Sequence, residues 1–511
     1  MIKKRLNSLA FLLGLMVTSL SVNGQQLDIT KFGAVPDGKT LNTVAIQKVI
    51  DQASLTGATV YVPSGTFYTG TLFLKDRVTL HLAGGAVLLG STNIKDYIPM
   101  TWGHHEDRTP WHLIVAKNVN DVRITGQGTI DGNGKAFWQP TRRHDWDFYK
   151  EIEERPSPMV EIDGCKHVSV EGVTIQNSAG WGLHPFNSYD VKLMGLTILN
   201  SAFGPNSDGI DVGGCSHLVI SDCNIDVGDD AIALKTTEDS GPCEYVTISN
   251  CILSTSCVAL RIGYESRQDF RFISVNNLVV KSSSRILDIR SLEGGTIEHV
   301  IINNITGTTN SGWPLNRVIE IEVDTVNTPY DVEIKEHPNY RKPKPVNKKG
   351  AIRDVSISNL SIITDGRIMM AAAPTMELDN IRLSNIHLDY AMIDQPDPLA
   401  AKARSIGFYK NMPDVRSAKA AFVAQNVSRL RIEGVSITWP KFPVPADWNL
   451  LKTEWRFLNP EFYRGNEADI RSGRKRASFG VLWGKGLTDQ VLRLEGAKSS
   501  DASIKPVVIL P

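Results

Sequence analysis

The 511-residue sequence has little that would anchor it in a membrane, draw it to nucleic acid or cross-link it. Past the first two dozen residues, no stretch approaches the ~18 consecutive apolar residues of a spanning helix, so no membrane span is expected. Charge of one sign is not in excess either, with 55 basic residues against 55 acidic. That balance argues against a nucleic-acid partner, which would call for a basic footprint. No Cys-x-x-Cys pair is present, which removes the usual zinc pattern. The six cysteines (Cys165, Cys215, Cys223, Cys243, Cys251, Cys257) also lack the spacing of a small stapled scaffold. Free, buried thiols are the expected state, although export would permit disulfides.

Export is indicated by the first residues. Met1-Ile-Lys-Lys-Arg5 is basic, Leu9 to Leu20 is nearly all apolar, and Ser21-Val-Asn-Gly24 is small and polar. This three-part pattern is that of a secretory signal peptide, with cleavage expected near Gly24. Loss of Lys3, Lys4 and Arg5 would leave the mature chain with a net charge of about −3. A periplasmic or secreted location follows.

What the sequence does contain is a repeat. Alternating β-formers, a polar pair and a second apolar run recur, as in Val168-Ser-Val-Glu-Gly-Val-Thr-Ile175 and Val246-Thr-Ile-Ser-Asn-Cys-Ile-Leu253. The second residue of the polar pair falls at Gly172, Gly195, Asp222, Asn250, Asn277, Asn304, Asn359, Asn385 and Gly434. The steps are 23, 27, 28, 27, 27, 55, 26 and 49, the longest covering two turns each. A period in the twenties, built from short β-runs and tight Gly/Asn turns, predicts an all-β, right-handed parallel β-helix. Period-2 alternation excludes a helical solenoid. Asn42 to Ser54, with Ala45, Ile46, Val49, Ile50 and Ala53 on one stripe, predicts a capping helix with Asn42 as N-cap. The expected organisation is a signal peptide over 1–24, one β-helix domain over 25–440, and a cap or packed tail over 441–511. That tail holds Trp448, Trp455 and Trp483. Two departures from the repeat, Asn133 to Pro158 and about Leu315 to Gly350, are expected as loops.

Aligning successive turns puts Asp208 and Asp230 at the same place on adjacent coils, 22 residues apart. Asp229 lies beside Asp230. Crowding three carboxyls on one patch is unfavourable unless they share protons, bind a cation or do chemistry. Glycosidic hydrolysis needs an acid for the leaving oxygen and a carboxylate for the water. A close Asp pair holding water, with the third Asp as acid, is one division of labour; the residues alone do not assign it. The same alignment places Lys235, Arg261 and Arg290 in one outward column, as an anion site or as charge balance for the aspartates. His184 falls in the outward column below Ala233, either touching sugar or as a surface histidine. Asp211 and Asp288 complete the candidate sugar-binding set. No cofactor or metal is called for, and nothing in the sequence sets an oligomeric state.

Asn206-Ser-Asp-Gly-Ile-Asp211 followed by Gly228-Asp-Asp230 resembles the paired signatures of glycoside hydrolase family 28, the polygalacturonase family. Phe32-Gly-Ala-Val-Pro-Asp-Gly38, Ile130-Asp-Gly-Asn-Gly134 and Trp181-Gly-Leu-His-Pro185 are also similar to family segments. The resemblance implies a right-handed β-helix, a polysaccharide or oligosaccharide substrate of pectic type, and an inverting mechanism. By carry-over, Asp229 is the general acid, and Asp208 and Asp230 hold the water. Two departures matter. The family's Gly-His-Gly is replaced by Ser254-Thr-Ser-Cys-Val-Ala-Leu260, and its Arg-Ile-Lys by Asp288-Ile-Arg290. They make a decorated or rhamnogalacturonan-type glycan the better expectation than plain polygalacturonate. Two other readings compete: a β-helix lyase or epimerase with calcium on the aspartates and Arg261 as base, and a non-catalytic glycan-binding solenoid that contacts glycan through the Trp-rich tail.

Overall fold

The computed structural model describes residues 26–100, 108–139, 150–151, 154–310, 317–325, 348–393, 409, 412–448, 468, 471–473 and 477–511. The expected signal peptide, part of the first expected loop and most of the second lie outside these residues. No described helix is long and apolar enough to cross a membrane.

The chain winds as a right-handed parallel β-helix. One sheet has 21 strands, and a second has 13, running from Leu72–Leu74 to Val507–Leu510. Pairing within both is parallel; the small Trp138–Gln139/Lys150–Glu151 ribbon is antiparallel.

The corners explain why the repeat is readable. All nine register residues have left-handed backbone angles, from φ 54° at Asn385 to 72° at Gly172. Glycine, asparagine and aspartate tolerate that region best. Each corner also resets the alternation. In Cys243–Thr255, Val246 and Ile248 point inward before Asn250, and Cys251 and Leu253 after it. The asparagines form a ladder along the coil. Asn277 Nδ2 donates to Asn250 Oδ1 at 3.1 Å, Asn304 Nδ2 to Asn277 Oδ1 at 3.2 Å, and Asn359 Nδ2 to Asn304 Oδ1 at 3.2 Å. All six cysteines are buried and unbonded.

The capping helix forms over Thr43–Thr56 and buries Ile46, Val49, Ile50 and Ala53. Asn42 precedes it but makes no side-chain cap bond. Its backbone, at φ −97° and ψ 1°, is not the extended form an N-cap side chain needs. Its amide instead ties the preceding loop, accepting from Val35 N at 2.6 Å and donating to Thr40 O at 2.7 Å. At the other end, position 440 does not close the coil. Gly480–Lys485 pairs with Ala420–Gln425, and Val507–Leu510 pairs with Gly480–Lys485. Part of the expected tail is thus further coil, because its Val/Ile/Leu runs complete the 13-stranded sheet.

That sheet positions the site. Its middle strands are hidden on both faces: every residue of Arg285–Ser291 and Arg317–Val323 is buried. The outward side chains there are charged, so each must find a partner on a neighbouring coil.

Asn304→Ala should lower stability by roughly 2–3 kcal/mol, from the left-handed backbone and the lost ladder bonds. Asn304→Gly should lose only the bonds, about 1 kcal/mol. Urea unfolding of the two variants checks this; equal losses would show that the backbone angle contributes nothing.

Candidate active site

Asp208 ends the loop before Ile210–Gly213, and Asp229 and Asp230 end the loop before Ile232–Thr236. Ile210 pairs with Ile232, so Asp208 and Asp230 are in register, as expected. The main chain locks the pairing: Gly209 N donates to Asp230 O at 2.9 Å, and Asn200 Nδ2 donates to Asp208 O at 2.7 Å. The Gly209 position has no room for a side chain, since a Cβ would meet Ala231 O at 2.4 Å. One carboxylate oxygen each of Asp229 and Asp230 and the Cys257 sulfur lie within 4.8 Å of one another.

The three carboxyls are treated differently. Arg261 grips Asp230 with two nitrogens, Nε to Oδ2 and Nη2 to Oδ1, the latter at 3.1 Å. Burial alone would raise Asp230; the guanidinium overrides it and holds the group below the usual carboxylate range. Asp229 is half-buried. Burial, and then the Asp230 charge, push it up to about 6. Asp208 is buried, and its Oδ1 has no hydrogen-bond partner among the described residues. Burial, then Asp211 and Asp229, push it well above the ordinary value.

The expected basic column does not form. Ile232 pairs with Leu260, 28 residues on, so Arg261 stands over Ala233 and not Lys235. The pairing is irregular only beyond this, between Leu234 and Thr236, where the opposite strand passes through Gly263 at φ 90°. The outward order along the sheet is therefore Glu161, His184, Asp211, Ala233, Arg261, Asp288, Glu320. Cations and carboxylates are interleaved. Lys235 Nζ lies 3.1 Å from Asp211 Oδ1 and 3.8 Å from Glu265, over the Trp181 ring. Arg261 Nη1 reaches Asp288 Oδ2 at 2.8 Å. Arg290 binds Asp288 Oδ1, Glu320 at 2.5 Å and Glu322 at 2.7 Å. Charge balance, rather than an open anion site, is what this column provides.

Burial sorts the expected sugar-binding residues. Asp211, Asp288 and Arg290 are 0% exposed, so none of the three presents a surface to a ligand, while His184 keeps 3%, the same as Asp208. Lys235 and Arg261 retain 7% and 8%. His184 is no surface histidine: Nδ1 donates to Glu161 Oε2 at 2.9 Å, and Trp181 and Phe186 flank its ring. Burial, despite Glu161, lowers its pKa. Burial also outweighs Lys235 at Asp211 and pushes it up to about 8.

Some of this site was missed in the sequence. Glu161 stands in the alignment that gave His184, and its parity alone marks it as outward. Glu265 carries no such signal, because the irregular pairing at Gly263 moves it, and Cys257 lies just ahead of the strand Val258–Ser266, outside the aligned positions. Arg261, which the lyase reading makes the base, is committed to Asp230 and Asp288. Trp448 is buried against Ala391, Met392 and Val444, and Trp483 is half-buried within the sheet. Trp455 lies outside the described residues.

Arg261→Met should cost about 3–5 kcal/mol, because it strands two buried carboxylates. A fall in the urea midpoint checks this, and an unchanged midpoint would contradict the pairing.

Comparison with known proteins agrees with this construction. The profile of the glycosyl hydrolases family 28 matches residues 54–391. A probable polygalacturonase of Vitis vinifera is 31% identical over 312 residues, 57% of this chain and 62% of the relative. An exo-poly-alpha-D-galacturonosidase of Dickeya chrysanthemi is 30% identical over 261 residues, 42% of this chain and 43% of the relative. The aligned part of the chain thus spans less than two thirds of either relative. Among solved structures, a Yersinia enterocolitica family 28 exopolygalacturonase superposes with a TM-score of 0.62 at 19% identity, covering 91% of this chain and 78% of that one. A Thermotoga maritima exopolygalacturonase gives 0.58 at 24% identity, covering 72% and 87%. By its profile match, its β-helix and its paired Asp motifs, the chain belongs to the glycosyl hydrolases family 28.

Proposed function

We propose that the chain is an exported hydrolase that cleaves glycosidic bonds in a pectic polysaccharide or oligosaccharide with inversion. Asp229 gives its proton to the leaving oxygen. Asp208 and Asp230 hold the attacking water; its oxygen bonds to the anomeric carbon, and its proton passes to Asp230. No cofactor enters this scheme. Family membership and the names of the relatives support the substrate class, and the N-terminal sequence pattern supports export.

The observation that carries the division of roles is the grip of Arg261 on Asp230. One of two consecutive carboxyls is fixed as an anion, while its neighbour, half-exposed and without that cation, keeps its proton to higher pH. Environments that push two carboxyls apart are how one site runs acid and base steps together. Asp208, with its raised pKa, orients the water more than it deprotonates it.

Asp229→Asn should lower turnover of a pectic substrate by roughly 10²- to 10⁴-fold with the melting temperature unchanged. Turnover within threefold of wild type, a threshold set at about 0.7 kcal/mol, would remove Asp229 as the acid. The pH profile has a defined sign. Asp229 must be protonated, so turnover should fall as pH rises through about 6. Asp230 must be ionised, so the acid limb should lie below about 4. EDTA should leave activity intact and products should not absorb as unsaturated uronates; loss of activity together with that absorbance would mark a lyase.

A further inference from the structure

We infer that at least one of the two sugars flanking the cleaved bond is uncharged, with Asp288 as the specificity-determining residue. The inference rests on the hydrolase reading above and narrows its substrate class.

A uronate carboxylate held in a desolvated site needs a cation with free donors, usually a bidentate one. Among the described residues, the cations paired around the Asp trio are Lys235, Arg261 and Arg290. Each is already held by carboxylates of the protein. Arg261 spends Nε and Nη2 on Asp230 and Nη1 on Asp288. Arg290 is wholly buried among Asp288, Glu320 and Glu322. Lys235 lies between Asp211 and Glu265 with the Trp181 ring beneath it. Further back along the sheet, Arg108 is likewise held, by Glu161 at 2.8 Å and Asp163 at 3.1 Å.

To bind a uronate here, the site would have to release one of these cations and leave its buried carboxylate unpaired. Breaking such a pair is strongly unfavourable. The incoming carboxylate would also meet Asp230 as a like charge, with Asp288 buried behind Arg261, an arrangement that selects against anionic ligands. A neutral sugar meets neither obstacle, because its hydroxyls donate to acceptor-only carboxylates. Asp288 is the pivot: it sits with 0% exposure between Arg261 and Arg290 and binds both. In its absence Arg261, which keeps 8% exposure, would have a donor to offer.

The test uses the full-length protein with three substrates: oligogalacturonides, the same oligomers after carboxyl reduction, and rhamnogalacturonan oligosaccharides. Products are identified by mass, with Asp229→Asn as control. Cleavage confined to bonds with a neutral sugar on at least one side is the expected result. Asp229-dependent cleavage between two unesterified galacturonates would overturn the inference and leave the hydrolase reading standing. Absence of cleavage in all three would sink the hydrolase reading and the inference with it. Asp288→Asn, checked for folding by its melting curve, should raise kcat/KM on oligogalacturonides by about tenfold or more. A folded variant with no gain would remove Asp288 as the determinant.

Discussion

Stacking in register is the constraint on which the rest of this molecule depends. Parallel coils place equivalent side chains at roughly 4.8 Å, the inter-strand spacing. A position that repeats is therefore a column, and a column of like charges cannot be buried. The interior solves this with aliphatic residues. The outer face of the 13-stranded sheet solves it by setting cations beside carboxylates, within a column where Arg261 adjoins Asp288, and from the next column where Arg290 bridges Asp288 and Glu320. Such networks are weak evidence for stability, since desolvation offsets much of the attraction. Their consequence here is electrostatic definition. Asp230 is fixed as an anion because Arg261 lies one coil away, and Asp229 is not.

The length of one coil is what makes that pairing possible. The step from Ile232 to its partner Leu260 is 28 residues, so Arg261 stands over Ala233 rather than Lys235, within reach of Asp230 on one side and Asp288 on the other. The irregularity in that pairing comes later, opposite Lys235, where it takes in Gly263 and leaves Glu265 3.8 Å from Lys235. A bulge that re-aims a side chain is a recurrent device in sheets. Under the proposed mechanism, the Arg261 pairing both sets the two neighbouring carboxyls apart and occupies a cation that a uronate would need.

Much of the architecture was legible because turn chemistry is local. Asn250, Asn277, Asn304, Asn359 and Asn385 mark corners, since few residues accept left-handed angles, and counting between them gives the coil. Asp208 and Asp230 could be placed on adjacent coils by the same count. The capping helix was legible from its apolar stripe. The cap bond of Asn42 was not, because its side chain answers to a loop brought close only in the folded chain.

The sequence by itself determined the solenoid, its period, the inward and outward sets, and the gathering of three aspartates on one patch. Each of these follows from periodicity within a single coil. Only the tertiary structure decided which charges meet. That depends on register between coils, and two residues more or fewer in one coil leave no clear trace in a count whose steps already vary. His184, Asp211, Asp288 and Arg290 have the outward parity of ligand-binding residues, yet all four are buried. Arg261, expected in a column of cations, is instead paired with Asp230 and Asp288.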